Sequence, residues 1–582
     1  MISKINKLFR AGLVCCSVAA ATIGCTDTWN DHYDAPVDKA VEGSLWEIIT
    51  QNPELSNFAQ VLEATGYDRA LASSQVFTVF APTNDALTTA DVKALIDTYN
   101  QEKADNVKEN DNRTIKEFVQ NHIALYNHSV SGLSDGLVTM MNGKYLPLTT
   151  TKLGNSPLLT TNKLTGNGVL FTISTKADYG YNLYEYLIQN NELDSVGRFL
   201  RTFSEYKFVP SSSVPGGITD GRTWYLDSVF VLTNKLFEKP SVRYSWTMEP
   251  LGNLNSEDST YWMVAPTNSV WDNLVARYSS YFNYDNRVEK RDSLQWIKTR
   301  LAILEGTVFS QTRNANLDGV WNRDSVFSVN AVDYSHRETV WGDSKMKYYQ
   351  FDNPFDEGGI FNGATEIDCS NGKILKATAW PIDPRETFMR TILVQGESRS
   401  NLDGIDEKTT NEVVRYNVPT YYEYYSNVSG HSFALVSPKG QTAAEVRYKL
   451  PNVLSNMPYD LYAVFVPCQA QDTLLTDNVP CKFNASVSYH RQDGLQSADY
   501  YLPQNDSTLT SSRRFNFETN PNKVDTVQLA SGIMFPTSSY DLSDNQVMVR
   551  LRTSLRAADR RDHTYTDNMR IDCLILKPHE DE

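Results

Sequence analysis

The sequence predicts a multidomain protein, mainly β with some α: two related modules of helices and strands, then a C-terminal all-β sandwich of jelly-roll type. Three observations lead there. The 582 residues suggest three or four domains at about 150 residues each. An internal repeat runs through the N-terminal two thirds. Beyond it, short apolar runs separated by Pro, Gly and Asn replace helical periodicity. With 41% hydrophobic and 21% charged residues, the composition is that of a globular chain rather than a disordered one.

Met1 to Arg10 is basic, and Ala11 to Ile23 is an apolar run ending at Gly24-Cys25, too short to span a bilayer as a helix. A small residue directly before a cysteine suits a lipoprotein signal peptidase, although Thr22 stands where Leu is common. Residues 1–24 are therefore expected to be a lipoprotein signal peptide, Cys25 the lipid attachment site and residues 25–41 a tether. Two or more acyl chains anchor stably where one would not. An ordinary secretory signal cut elsewhere is the alternative. The stretch Thr26 to Asp34 resembles the acidic segment that sends lipoproteins of Bacteroides-type bacteria to the outer face of the outer membrane, and a plain solvated tether explains it nearly as well. The expected location is the outer membrane, lipid-anchored and exposed at the cell surface. Processing removes Lys4, Lys7 and Arg10 and no acid, which moves the net charge from −16 to −19. That field disfavours nucleic acid as a partner and points to a neutral or cationic ligand.

The repeat comes next. Leu45 to Leu62 aligns without gaps on Leu183 to Leu200, each copy reading as two short amphipathic helices joined at Asn-Pro or Asn-Asn. Val79-Phe80-Ala81-Pro82-Thr83-Asn84 then aligns on Met263-Val264-Ala265-Pro266-Thr267-Asn268. The offset has grown from 138 to 184, which places an insertion at about 201–246 in the second copy. In both, Thr-Asn is expected to cap a helix starting near Asp85 or Ser269. Asn142-Gly143, Asn167-Gly168 and Asn371-Gly372 sit between apolar runs and read as tight turns.

Phe77 to Leu87 resembles the first signature box of the fasciclin-like domain family, Thr139 to Lys144 its central Asn-Gly turn, and Asn167-Gly168-Val169-Leu170 the opening of its second box. The resemblance implies two fasciclin-like domains, at 42–181 and 182–384, with a fold of β-sandwich and helices and a role in adhesion or extracellular binding. The family's Tyr-His adhesion pair is replaced by Asn121-His122 in the first copy and Glu305-Gly306 in the second. Integrin-type adhesion is accordingly not carried over.

Residues 385–582 hold strand-like runs such as Ser432 to Val436, Leu461 to Val466, Val547 to Leu551 and Met569 to Leu576. The last is similar to the closing strand of carbohydrate-binding jelly rolls. Four cysteines follow the anchor, of which Cys468 and Cys481 are the one pair to consider for a disulfide; buried free thiols fit equally. A sugar site needs exposed aromatics beside amides or carboxylates. Tyr421, Tyr422, Tyr424, Tyr425, Tyr500 and Tyr501 are the candidates, although adjacent tyrosines alternate faces, so that at least one of each pair packs inward. No catalytic motif, metal-ligand spacing or cofactor loop is present.

These readings favour a non-catalytic surface lipoprotein that binds a glycan or a partner protein. It would be accessory to polysaccharide uptake by a TonB-dependent transporter and its lipoprotein lid. A surface hydrolase with carboxylates in the C-terminal sandwich is one alternative and a cell-adhesion protein another.

Overall fold

The computed structural model describes residues 43–580, except 129–135, 209, 211–213, 220–221, 228–229, 238–250, 311–324, 328–337, 342–343, 348, 400–403, 407–408, 410, 439–442, 477, 504–513 and 545. The signal peptide, Cys25, the tether and the end of the insertion lie outside the described residues. The chain divides into two compact units, Met1–Tyr181 and Asn182–Glu582.

In the first unit Ser44 and Glu47 form a capping box on α1 (Leu45–Gln51), and α2 (Ser56–Thr65) and α3 (Tyr67–Ala72) follow at once. Strand β1 (Phe77–Pro82) leads to α4 (Thr89–Ala104), then to β2 (Ile123–Leu125), β3 (Gly136–Thr139), β4 (Tyr145–Leu148), β5 (Lys152–Leu153), β6 (Ser156–Thr165) and β7 (Gly168–Ile173). The seven strands run β2-β1-β7-β6-β5-β4-β3, and a bridge from Ala124 to Met140 joins the two ends. Among the described residues of this sheet, only β1 and β7 pair in parallel. Phe77, Val79 and Ala81 pack on the helices while Phe80 packs with Phe171 on the other side, so β1 is buried on both faces.

The second unit opens the same way, with Asn182 and Glu185 boxing α5 (Leu183–Gln189), followed by α6 (Asp194–Arg201). In the insertion β8 (Ser204–Phe208) and β11 (Phe230–Asn234) pair antiparallel, as do β9 (Val214–Thr219) and β10 (Arg222–Asp227). Strand β12 (Tyr261–Pro266), helices α7 (Asn268–Tyr278) and α8 (Arg291–Leu304), and β13 (Val308–Ser310) come next. They are followed by β14 (Ser325–Phe327), β15 (Glu338–Trp341), β16 (Ser344–Lys347), β17 (Gln350–Asp352), β18 (Thr365–Cys369) and β19 (Gly372–Ala377). Strand β12 lies parallel to β19 with Tyr261 opposite Gly372, as Phe77 lies opposite Gly168 in the first unit.

The Asn-Gly dipeptides do more than turn the chain. The hairpin bends one residue earlier than expected, at Gly166-Asn167 and Ser370-Asn371, and each Gly opens a strand. Asn371 accepts from the Leu183 N–H at 2.9 Å and donates to Leu254 O and Ser256 O, tying the first helix to the sheet. Asn167 does the same for Leu45, Leu71 and Ser73. A Cβ on Gly372 would stand 1.7 Å from Tyr261 O, so no other residue fits there.

The expected cap at Thr83-Asn84 is corrected. The helix begins at Thr89 under a Thr88–Asp91 capping box, because the Asn84 side chain is engaged elsewhere, with Asn57 N–H and Pro53 O. Asn268 likewise accepts from Ser195 N–H, although its helix does begin beside Ser269.

The sandwich is built from two sheets. One orders β22 (Glu412–Asn417), β23 (Ser432–Ser437), β31 (Met569–Pro578), β25 (Tyr459–Phe465) and β29 (Asp525–Ile533), with β20 (Ile392–Gln395) also on β31. The other orders β21 (Gly404–Ile405), β24 (Glu445–Leu450), β30 (Val547–Thr553), β26 (Lys482–Ser488) and β27 (Tyr500–Tyr501), with β28 (Phe517–Glu518) on β26. Alternating residues of both sheets fill one core that continues into the preceding helices through Phe282, Phe388 and Tyr540. A buried ion pair between Lys298 and Asp541 closes that seam. Cys468, Cys481 and Cys573 are buried thiols and Cys369 a half-buried one.

Candidate functional site

On the second sheet of the sandwich, alternation turns Val446, Tyr448, Val549, Leu551, Ala485 and Val487 inward. What remains on the outer face is polar. Tyr501, Ser486, Arg550 and Arg447 form one row across β27, β26, β30 and β24. Asn484, Arg552 and Glu445 form the row on one side, and Ser488, Met548 and Lys449 the row on the other. Asn484, Ser486 and Ser488 are buried, so β26 is the floor between longer side chains.

Arg550 holds the face together. It reaches Asp499 at 2.9 Å and Glu445 at 2.7 Å, while Arg447 stands 3.8 Å from Glu445 and 4.0 Å from Asp499. Burial alone would raise the Glu445 carboxyl; the Arg550 hydrogen bond and the charges of Arg550, Arg552 and Arg447 outweigh it and hold the carboxyl below its usual value. Both Arg550 terminal nitrogens are thereby used, and its Nε is buried with no acceptor. At the rim, Arg514 donates to Tyr501 Oη at 3.0 Å and lies over its ring. The face can therefore offer an aromatic edge and forked cationic donors to a polyhydroxylated ligand.

The six tyrosines fall in two places. Tyr501 points outward beside Ser486, whereas Tyr500, opposite Val487, stacks on Tyr489 against the core. Tyr422, Tyr424 and Tyr425 pack with Val418, Val428 and Phe433 over β23, and Tyr425 stacks on His431 at 3.9 Å. Tyr421 is 83% exposed, in edge contact with Tyr422. The two groups lie on different sheets. Reading the tyrosines missed Arg447, Arg550, Glu445 and Asp499. The alternation of charge in Glu445-Val446-Arg447-Tyr448-Lys449 and Val549-Arg550-Leu551-Arg552 was the signal that could have found all but Asp499.

A second polar cluster sits behind β31, where a register shift accompanies Asp572. Both Asp572 oxygens accept from the Ser429 N–H, at 3.0 and 3.1 Å, and Glu397 accepts from Ser432 Oγ. Glu397 Oε2 and Gln395 Oε1 are buried without partners. Burial, reinforced by the Glu397 charge, pushes the Asp572 carboxyl up to about 7 against the pull of the Ser429 N–H. No cluster of three or more His, Cys, Asp or Glu side chains that could hold a metal occurs among the described residues.

In the first unit His122 is fully buried, with Nδ1 on Phe118 O and Nε2 accepting from Ala177 N–H, and burial lowers its pKa to about 4. It is a neutral packing residue, enclosed where a surface adhesion group would have to be exposed.

Residues 53–176 match the fasciclin domain family. The fasciclin match covers most of the first unit. Among solved structures, the chain is similar to a pair of such domains from the insect cell adhesion molecule Fasciclin I, at 12% identity and TM-score 0.19, covering 58% of this chain and 99% of that one. It is also similar to the C-terminal family 22 carbohydrate-binding module of Clostridium thermocellum Xyn10B, at 13% identity and TM-score 0.19, covering 32% and 92%. A Paenibacillus xanthan lyase follows at 14% identity and TM-score 0.16, covering 44% and 19%. No curated protein matches the chain.

Proposed function

We propose that this is a non-catalytic, lipid-anchored cell-surface protein whose C-terminal sandwich binds glycan. Its fasciclin domain and a second, fasciclin-like copy over 182–384 act as spacers or protein-docking modules. The observation that carries the reading is the outer face of the β24–β30–β26–β27 sheet. Arg447 and Arg552, about a third exposed, stand there on neighbouring strands and are bordered by Tyr501, which is the chemistry that orients a sugar ring. The parallel pairing of β12 with β19, stapled by Asn371 as β7 is by Asn167, supports the second copy. Gly24-Cys25 supports the anchor, and a glycan binder so anchored suits service beside a TonB-dependent importer and its lid.

The hydrolase alternative would look to Glu397 and Asp572. Asp572 is 2% exposed and the Glu397 side chain 8%, and a glycosidase pair must reach both sides of a bond in an open cleft. The test is affinity electrophoresis of the mature chain through gels containing a panel of plant and bacterial polysaccharides, with reducing ends assayed in parallel. Retardation in at least one gel without new reducing ends is expected. No retardation in any gel, or release of reducing ends, would overturn the reading.

A further inference from the structure

We infer that the β24–β30–β26–β27 face selects acidic glycans, with the carboxylates of uronic acid units as the recognised groups. The inference rests on the glycan-binding reading and adds the ligand's charge. On the sequence alone, the acidic chain points to a neutral or cationic ligand. The face itself is of the opposite sign. Arg447, Lys449, Arg550, Arg552 and the rim residue Arg514 stand there against Glu445, Asp499 and the adjoining Asp406, within a chain whose net charge is −16.

Two donors on this face have unused capacity. Arg552 stands 3.6 Å from Glu445, beyond hydrogen-bond reach, so its guanidinium fork is open. Lys449 has no ion-pair partner among the described residues and flanks the same row. The two carboxylates already present hold Arg550 in a fixed orientation. Arg447 and Arg552 flank it at 3.6 to 4.0 Å from those carboxylates, so an incoming carboxylate would meet guanidinium groups with donors left to give.

The remaining acidity of the chain does not oppose this at ordinary salt. Charges farther than about 10 Å apart are largely screened at 0.1 M, so the local cations decide. Sulfate esters share the anionic chemistry, and the experiment separates them from uronates.

Affinities of the mature chain for polygalacturonate, for neutral galactan and for dextran sulfate are measured at 0.1 M salt. The same titrations are repeated with Lys449→Gln and Arg552→Gln, chosen because neither removal strips Arg550 from its carboxylates. Polygalacturonate is expected to bind at least tenfold more tightly than galactan. Each variant should lose threefold or more of that affinity with an unchanged melting temperature. Galactan binding as tightly as polygalacturonate would overturn the charge selection and leave the glycan-binding reading standing. Binding of none of the three, together with failure of the wider polysaccharide panel, would overturn both. Dextran sulfate binding more tightly than polygalacturonate would reject the uronate assignment, and full affinity in both variants would reject this face.

Discussion

Asn371 carries more than its size suggests. Its amide satisfies one N–H and two carbonyls from three separate backbone positions of the second unit. Asn371→Ala leaves these groups buried without partners, at a cost of roughly 3 kcal/mol. A denaturant titration should show the midpoint falling, with Asn167→Ala behaving alike in the first unit. Asp572 makes a prediction of different sign. Its carboxyl holds a proton up to about pH 7 in the folded protein, against 3.8 for the ordinary group. The stability it contributes is thus fully present below about pH 4 and declines as the pH rises through 7. Melting temperatures between pH 4 and 8 should fall less steeply in Asp572→Asn than in the parent, and identical slopes would remove Asp572 as the cause.

At the scale of elements, the strands of the repeat and of the sandwich were legible because apolar residues recur with their own period. Val79 and Met263 lead into Ala-Pro along strands that do form. What the sequence concealed was the use of side chains at junctions. Thr83-Asn84 has the composition of a cap, yet the Asn is consumed by Asn57 in another helix, a contact set only by tertiary packing. The tyrosines divide for a related reason. Tyr422, Tyr424 and Tyr425 are half-buried against Val418, Val428 and Phe433, while Tyr421 stays exposed. The arginine face lay open in the alternation of β24 and β30, and only strand pairing shows that the two charged stripes are neighbours. The junction of helix α8 with the sandwich is also invisible in sequence, because Lys298 and Asp541 are 243 residues apart. Both side chains are almost wholly buried, so Lys298→Ala leaves a buried acid behind and should cost about 3–5 kcal/mol. Replacing both by Met and Leu should recover most of that in thermal unfolding; no recovery would mean the pair is not what the seam depends on.

For the whole molecule, function depends on where the chain is held and which surface meets the ligand. Cys25→Ala should move the protein from the membrane to the soluble fraction and abolish labelling by a palmitate analogue. Retention in the membrane, with no label on the parent protein, would refute the anchor. The net charge of −16 keeps the bulk of the surface unattractive to polyanions, and the sandwich sets one cationic face within it. The most direct test of the account is hydroxyl-radical footprinting of the mature chain with and without a saturating polysaccharide found by the gel panel. Tyr501 is expected to become protected while Tyr421 oxidises unchanged. Protection of Tyr421 with no change at Tyr501, or protection confined to residues 43–181, would contradict it.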